Sequence, residues 1–424
     1  MIIDEKEKLL IISNNVLSTT RNNGKTIFSY INCLPKENVA QLYFSEEKPT
    51  ISGYYYFQLS DRDIIRGLCF PQKRGRQLNA SSDVSKNKTN TNNLTTKYRN
   101  TFFRIARDIL WYRKWKSKKL LKWLDDFSPT AVFFVGGDSC FAYDIYRFVL
   151  KRYNPKSSLY ITDDYITIQK KESFLKRIRK KQIKKKIKSA LAKTNNFFTV
   201  SSLMRDEYEK IFERDSKTIV NLTESLKIDG NHSSNDGIVL LYAGSLYYGR
   251  DQMLGLIAST IKKFNSFDPS KKAFLKVYAN TEPDATTKDR FVVCGCSDFC
   301  GSLSKEELKV ALNEADVLVF VESFDQEQIN KTRFSLSTKV PEYLSVGKPI
   351  LALGPKGIGS IDYLSDVSCC VNDIDSLEKK LIELLNSSEI QRELAELALA
   401  KYNRLHDHKK LQSEFIADLF MPNE

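Results

Sequence analysis

The sequence predicts an α/β protein of two Rossmann-like domains, and three observations lead to that fold class. Short apolar runs alternate with stretches of helical periodicity, a pattern typical of parallel sheets flanked by helices. The chain has 424 residues, more than the roughly 250 to 300 at which a single core stops growing. A polar, turn-rich segment between Asn221 and Asp236 separates two similar halves, as a linker between independent cores should.

Each half contains five apolar runs that we interpret as strands. In the first half these are residues 9–13, 39–44, 131–135, 158–162 and 197–200; in the second they are 238–243, 274–279, 290–294, 317–321 and 349–353. The stretch from 390 to 420 has helical periodicity. We therefore expect a first domain at 1–222, a second at 223–400 and a C-terminal helix within 401–424.

Two tracts of the first domain differ in composition from the rest. Residues 77–97 are dominated by Ser, Asn and Thr, which predicts a mobile surface loop. Residues 170–193 contain twelve basic residues and one acid, Glu172, in a helical segment with a break in its apolar stripe near 179–182, where we expect a kink or two helices.

The basic segment and the net charge of +14 indicate an anionic partner. We expect an anionic lipid surface, to which each lysine adds on the order of 1 kcal/mol. The lysines expected to face it are Lys180, Lys181, Lys184, Lys185 and Lys186. A solvated helix face is the simpler alternative. Nucleic acid is disfavoured because no helix-turn-helix, RNP or zinc-finger pattern accompanies the charge.

Composition favours a cytoplasmic protein without metal. No apolar run approaches the roughly 20 residues needed to cross a bilayer. The start, MIIDEKEKLLIIS, has acids where a secretory signal needs a basic region. The eight cysteines form no disulfide framework. Cys294, Cys296 and Cys300 lack the spacing and fourth ligand of a zinc site.

Candidate site residues follow the predicted strands, because ligands of doubly wound sheets bind beyond the carboxyl ends of the strands. In LLYAGSLYYGR, Gly244 and Ser245 follow strand 238–243, and Arg250 precedes a helix predicted to start near Asp251. A glycine turn, a helix N-terminus and a guanidinium together suit a phosphate. A tight turn with a solvated arginine is the alternative.

A second loop follows strand 317–321. There Thr338 is expected to cap a helix that has Pro341 in its first turn. Lys339 and Glu342 then share one face near the helix start, where the ammonium suits phosphate oxygens and the carboxylate suits ribose hydroxyls. An ordinary surface ion pair is the alternative.

Three groups in the first half also follow predicted strands and are candidates for a second part of the site. Asn23, Gly24 and Lys25 are expected in a loop after strand 9–13, where a flexible loop without function is the alternative. Gly137 and Asp138 follow strand 131–135.

Asp163 and Asp164 follow strand 158–162. Either aspartate could act as a general base toward an acceptor hydroxyl, or could cap a helix or bind an arginine. Paired aspartates can also hold a metal, but a single-domain, metal-dependent enzyme with a DxD motif fits neither this spacing nor the two-domain pattern.

LLYAGSLYYGR followed by LSTKVPEYLSVGKPILA resembles the donor domain of GT-B-fold glycosyltransferases of the glycosyltransferase family 4 type, particularly those of bacterial surface-polysaccharide synthesis. IISNNVLSTTRNNGKT and FFTVSSLMRDEYEKIF are similar to elements of the family's first domain. The resemblance implies two Rossmann-like domains facing a cleft and a last helix that crosses back to the first domain. It matches Arg250 to the phosphate-binding arginine and Glu342 to the ribose-binding glutamate.

The resemblance implies transfer of a sugar from UDP or GDP to a lipid-linked or growing glycan acceptor in capsule, O-antigen or exopolysaccharide synthesis. It further implies retention of configuration and no metal, with Arg250 and Lys339 stabilising the leaving diphosphate. Such an enzyme would be bound peripherally at the inner face of the cytoplasmic membrane.

Two departures from the family pattern leave alternatives open. Gly255 stands where a lysine is common, and Phe334 replaces the first of two glutamates eight residues apart. Lys339 is expected to supply the missing charge. The alternatives are a non-hydrolysing sugar-nucleotide epimerase of similar architecture and a catalytically inactive scaffold at the membrane surface.

Overall fold

The computed structural model describes residues 6–19, 22–70, 72, 74–78, 101–169, 172–228, 237–267 and 271–420. The chain divides into two compact units: the first combines 1–219 with 409–424, and the second is 220–408. Most of the loop predicted at 77–97, the end of the linker (229–236) and the first two residues of the basic segment lie outside the described residues.

The first unit is built on an eight-stranded sheet in the order β4-β3-β2-β1-β5-β6-β7-β8. All pairings are parallel except β3 with β4. The strands are β1 Leu9–Ser13, β2 Val39–Tyr43, β3 Tyr55–Gln58, β4 Arg76–Leu78, β5 Ala131–Gly136, β6 Lys156–Ile161, β7 Asn196–Thr199 and β8 Lys217–Thr218. The strand order reverses between β1 and β5, which makes a crevice at their carboxyl ends.

Within the described part of this unit, seven α-helices connect these strands. They are α1 Asn22–Ile31, α2 Asp61–Cys69, α3 Thr101–Trp111, α4 Lys118–Phe127, α5 Cys140–Tyr153, α6 Phe174–Leu191 and α7 Ser202–Phe212. The strands β1, β2, β5 and β7 are buried along their whole length, as expected for a sheet covered on both faces.

The second unit has a six-stranded parallel sheet in the order β11-β10-β9-β12-β13-β14. The strands are β9 Ile238–Ala243, β10 Ala273–Tyr278, β11 Ser297–Gly301, β12 Val317–Val321, β13 Ile350–Leu353 and β14 Cys369–Val371. This is the doubly wound order of dinucleotide-binding folds, and it reverses between β9 and β12.

The helices of the second unit flank this sheet on both faces, with one apolar core on each side. They are α8 Arg250–Phe267, α9 Ala285–Phe291, α10 Lys305–Glu314, α11 Gln326–Thr332, α12 Lys339–Val346, α13 Gly359–Leu364, α14 Leu377–Asn386 and α15 Ser388–Leu405. The boundary expected at residue 401 falls inside α15.

The last helix, α16 (His408–Phe420), belongs to the first unit from Lys409 onward. Its Phe415 ring lies 4.8 Å from Tyr30, 5.1 Å from Phe133 and 5.8 Å from Phe198, centroid to centroid. Aromatic burial of this kind is a strong anchor. The C-terminal helix therefore returns to the first unit, as the predicted fold class requires.

Two local predictions were wrong. Residues 290–294 are not a strand, because α9 ends at Phe291 and a turn follows, in which the Cys296 and Ser297 N–H groups both donate to the Val293 carbonyl. The sheet position is filled by β11 instead. The basic segment is one helix, α6, without a break at 179–182. Across the described residues, no helix combines the length and apolar character that crossing a bilayer demands.

Candidate functional site

The site in the second unit lies where the strand order reverses. Gly244 follows β9 and Glu322 follows β12, so both stand at the carboxyl ends of the two strands that flank the crevice. The Gly244 N–H donates to the Tyr278 carbonyl at 2.8 Å, which fixes the β9 exit against β10. Gly244 and Glu322 are thus positioned by the strands they follow and not by loops alone.

Arg250 is the first residue of α8 and is aimed at this crevice by a strained turn. Tyr248 and Gly249 both have positive φ, 65° and 73°. A non-glycine residue in that region costs energy and is often retained for function. The Arg250 guanidinium donates to Glu322 Oε1 at 2.6 Å across the switch point. The Glu322 side chain is only 3% exposed, and its second oxygen has no hydrogen-bond partner among the residues that the structure describes.

Lys339, at the start of α12, reaches the same place. Its Nζ donates to the Tyr242 hydroxyl at 3.3 Å and lies 4.5 Å from the centre of the Tyr242 ring. A Cβ atom at position 244 would stand 1.6 Å from Nζ. Gly244 is therefore required for Lys339 to occupy this position, and the structure joins two residues that are 95 positions apart in the sequence.

The Lys339 ammonium is held in an unfavourable environment. Burial is the main cause, and the nearby Arg250 charge adds to it; together they lower the pKa of Lys339 to about 7, although Glu322 and Glu342 oppose the shift. Two cations and two carboxylates are brought together here, and an anion that binds beside Lys339 would offset the cost of burying its ammonium.

A cavity of about 670 Å³ opens beside these residues and lies within the second unit. Gly244, Ser245 and Lys339 line one side, and the aromatic and aliphatic side chains of Tyr278, Leu303 and Leu308 line another. A volume of this size suits a small organic ligand. The rest of the lining includes one further cation, Arg290, and three acids, Asp251, Glu282 and Asp284. The cationic side is therefore the one formed by Gly244, Ser245 and Lys339.

The start of α12 differs in part from expectation. Thr338 does not cap the helix, because it has helical backbone angles and its side chain accepts no capping hydrogen bond. Ser337 Oγ instead accepts from the Lys339 N–H, at 3.4 Å. Glu342 is half-buried in the first turn and acts on the Lys339 charge, so the two predicted residues do belong to one electrostatic group.

Sequence reasoning missed Glu322 and Tyr242. Glu322 directly follows β12, so the rule that placed Gly244 after β9 also identifies it. Tyr242 lies within the apolar run of β9, so no sequence pattern indicated that its hydroxyl contributes to the site. Phe334, at the position where the family has a glutamate, is 3% exposed and packs in the interior, where it supplies no charge.

In the first unit, the predicted acceptor residues lie beyond β1, β5 and β6. Asn23 donates to Thr162 Oγ1 at 3.2 Å, which links α1 to the end of β6. The prediction of a loop at Asn23, Gly24 and Lys25 was wrong, since all three lie in α1. A Cβ on Gly24 would meet the Val16 carbonyl oxygen at 2.1 Å, so this glycine serves close packing.

Gly137 and Asp138 follow β5 at the same edge. Space around Gly137 is open: apart from its chain neighbours, no described residue has an atom within 4 Å of the position a Cβ would take. The Asp138 carboxylate pairs with Arg104, and its carbonyl accepts from Arg179. Asp138 is therefore tied into a network of charges rather than presented alone.

The two aspartates after β6 have different surroundings. Asp164 Oδ1 accepts from the backbone N–H groups of Ile166 and Thr167 and from the Tyr208 hydroxyl, a structural arrangement. Asp163 is exposed at its surface, but the protein atoms around its carboxyl partly desolvate it and raise its pKa. The negative charges of Asp164 and Asp138 raise this pKa further, by smaller amounts. Of the two, Asp163 is the better candidate for a base.

The lysines of α6 separate into two groups. Lys180 pairs with Glu172 at 2.5 Å and Lys186 pairs with Asp144 at 2.5 Å, so these two do not form the expected outer surface. The exposed face instead consists of Phe174, Arg177, Lys181, Lys184, Lys185 and Lys188. Ile183 and Ile187 are buried on the opposite side.

Comparison with known proteins supports the fold. Neither a protein-family model nor a curated protein matches the chain. An E. coli trehalose-6-phosphate structure with bound UDP-2-fluoro glucose is similar over 98% of this chain and 100% of its own, with TM-score 0.61 and 11% identity. The OtsA apo structure is similar over 99% of this chain and 100% of its own, with TM-score 0.63 and 12% identity.

A third solved structure shows a similar degree of likeness. The α,α-trehalose 6-phosphate synthase from Burkholderia multivorans is similar over 97% of this chain and 98% of its own, with TM-score 0.58 and 12% identity. At such identities the likeness concerns the fold. The predicted GT-B fold, with two parallel-sheet units, is thereby confirmed.

Proposed function

We propose that this chain is a glycosyltransferase that takes a sugar from a nucleoside diphosphate. The observation that carries the proposal is the convergence of Arg250 and Lys339 on the switch point of the second unit, beside a cavity of about 670 Å³. Two cations at helix N-termini are what a diphosphate requires. We extend the donor role to Gly244, Ser245 and Glu342 on the same grounds.

In the proposed reaction the bond between the sugar carbon and the diphosphate oxygen breaks, and the electron pair stays on the diphosphate. Arg250 and Lys339 stabilise that developing charge, as do the N-termini of α8 and α12. Asp163 of the first unit is the base we propose: it takes the proton of the acceptor hydroxyl as the acceptor oxygen bonds to the sugar carbon, and its raised pKa makes it a stronger proton acceptor than an ordinary aspartate.

UDP is the donor nucleotide we propose first, since a protein of the same fold is described with bound UDP-2-fluoro glucose. GDP is the alternative. The family resemblance supports a lipid-linked or growing glycan acceptor of surface-polysaccharide synthesis, retention of configuration and a reaction without metal. The exposed basic face of α6 supports a position at an anionic membrane surface.

The test is to incubate the protein with UDP- and GDP-sugars, with and without lipid extract, and to follow released nucleotide and the sugar by NMR. A glycosyltransferase releases UDP or GDP only when an acceptor is present. An epimerase changes the sugar configuration without any acceptor. Binding without either reaction is the behaviour of an inactive scaffold and contradicts the proposal.

Affinity for UDP-glucose should depend on pH through Lys339. Its pKa is about 7 in the ligand-free protein, and a bound diphosphate raises that pKa because it favours the ammonium. Affinity is then highest below pH 7 and falls by up to about tenfold per unit above it. Calorimetric titrations between neutral and alkaline pH measure this slope. In Lys339→Arg the slope should vanish, and a slope that persists would assign it to another group.

Binding to anionic vesicles should depend on the outer face of α6. Changing Lys181, Lys184, Lys185 and Lys188 to Gln is expected to reduce sedimentation with phosphatidylglycerol vesicles at least tenfold, at about 1 kcal/mol per lysine. The control variant changes four exposed lysines of the second unit, Lys262, Lys271, Lys272 and Lys379, by the same charge. Equal losses in both variants would indicate a net-charge effect and remove the specific role of α6.

A further inference from the structure

Helix α3 has its charged face inside and its apolar face outside. At helical spacing, Phe102, Ala106 and Ile109 form one face, and all three are exposed. Ile109 is 69% exposed, whereas the Arg107 side chain on the opposite face is 19% exposed. This is the reverse of the pattern by which a surface helix of a soluble protein contributes to its core.

The inner face is polar because α3 completes the network behind β5. Asp108 Oδ1 accepts from the Cys140 N–H at 3.0 Å, which supplies the helix cap that Ser139 does not provide to α5. Asp108 also pairs with Arg179 at 2.7 Å. Arg107 pairs with Asp61 of α2 at 2.8 Å. These contacts fix the rotation of α3 and leave no freedom to turn the apolar face inward.

The neighbouring helix α2 extends the same kind of surface. It packs against α3, and its Ile65 and Leu68, three residues apart, are 54% and 45% exposed. Both acids of this helix are directed inward: Asp61 accepts from Arg107, and Asp63 closes the capping box with Ser60. The outer surface of the pair thus has apolar side chains without acidic ones.

Exposed cations follow this apolar surface along the chain. The chain that leaves α3 reads WYRKWKSKK from 111 to 119. Its Tyr112, Arg113, Lys116, Lys118 and Lys119 are exposed. The Arg113 guanidinium lies 5.3 Å from the centre of the Tyr112 ring. An exposed apolar helix face bordered by aromatic and basic residues is the composition of helices that lie in a membrane interface.

We propose that the outer face of α3, with the adjoining face of α2, inserts into the interfacial region of an anionic bilayer. The apolar residues enter the acyl boundary, and the cations at the end of α3 meet lipid phosphates. This surface is distinct from the lysine face of α6. The inference rests on the membrane partner of the proposed function and is independent of the donor site.

The test compares Ile109→Asp and Ile65→Asp with the wild-type chain in co-sedimentation with vesicles of phosphatidylglycerol and phosphatidylcholine in equal parts. Each variant should lose vesicle binding by about tenfold or more, because a buried carboxylate opposes insertion. The loss should persist in high salt, where the purely electrostatic attraction of α6 is screened. Phe267→Asp, which alters a 78% exposed apolar residue of the second unit, is the matched control and should bind as wild type.

Measurements of ligand affinity, melting temperature and oligomeric state distinguish the possible outcomes. UDP-glucose affinity and melting temperature should be unchanged in Ile109→Asp, because this side chain lies on the surface of the first unit. If only the α6 lysine variant loses vesicle binding, the inserted face is refuted while the membrane partner stands. If the wild type is a dimer and Ile109→Asp a monomer with normal vesicle binding, the face contacts a second copy of the chain, which also refutes the proposal.

Discussion

Replacing Lys339 with methionine should raise the melting temperature of the ligand-free protein and weaken UDP-glucose binding at least a hundredfold. Burial and the Arg250 charge hold the pKa of Lys339 at about 7, well below the value of a lysine in water. Folding must therefore pay for the buried ammonium. A methionine side chain fills similar space without that cost, but it offers a diphosphate no charge.

The direction of the pH effect is fixed by the same pKa. Because the folded state holds this proton less tightly than the unfolded state, the destabilisation is largest below pH 7 and disappears as the pH approaches that of an unfolded lysine, about 10.4. The stabilisation of Lys339→Met should follow that course, at about 2–4 °C for each kcal/mol gained.

Differential scanning calorimetry from neutral to alkaline pH, together with titration of UDP-glucose, measures both effects. Lys262→Met is the matched control, since Lys262 is an exposed lysine of α8. It should change neither quantity. A variant at position 339 that melts lower than wild type at neutral pH, or that binds UDP-glucose normally, contradicts the assignment of Lys339 as a strained anion-binding cation.

Replacing Arg250 with methionine should destabilise the protein by about 3 kcal/mol, besides abolishing donor binding. The Glu322 side chain is 3% exposed and its bonded oxygen relies on Arg250. Removal of Arg250 leaves the buried Glu322 carboxylate without its ion-pair partner, and such a loss costs far more than the pair itself contributes. Urea denaturation of the ligand-free protein measures this loss.

A second substitution distinguishes this cause from general damage. Adding Glu322→Gln to Arg250→Met removes the orphaned charge and should restore most of the lost stability, while donor binding stays abolished. Stability that is not restored would mean that Glu322 is not stranded by the loss of Arg250. Donor binding that survives in Arg250→Met would exclude the guanidinium from the phosphate site.

Much of the framework could be predicted from the sequence because the strands of a parallel sheet are apolar along their length. Strands β1, β9 and β12 agree with the predicted runs residue for residue. The edge strands β4, β8, β11 and β14 were not predicted, since short or polar edge strands lack that signal. The interior strand β3 was also missed. The run at 290–294 was mistaken for a strand because Phe291 is buried as part of a helix.

The site could be predicted only as far as local order along the chain allows. Position after a strand and at a helix start identified Arg250 and Lys339. Their convergence depends on which strands are neighbours in the sheet, and no local sequence pattern predicts that order. Glu322 could have been found by its position after β12, but its pairing with Arg250 depends on β12 lying beside β9.

Helix rotation was likewise beyond the sequence. The sequence does not distinguish between the five lysines at 180, 181, 184, 185 and 186. Two of them pair with acids outside the helix, Lys180 with Glu172 and Lys186 with Asp144, and these pairs appear only in the structure. The outward apolar face of α3 is an even clearer case. Its period alone would place Ile109 in the core, and only the ion pairs of Asp108 and Arg107 determine the opposite orientation.

Calorimetric titration of UDP, UDP-glucose, GDP and UMP into the wild-type chain and into Arg250→Met tests the central claim most directly. We predict that one nucleoside diphosphate and its sugar bind the wild type with micromolar affinity, that the monophosphate binds at least tenfold more weakly, and that Arg250→Met binds none of them. Absence of diphosphate binding in the wild type, or equal binding by the variant, would contradict the claim that Arg250 and Lys339 form a diphosphate site.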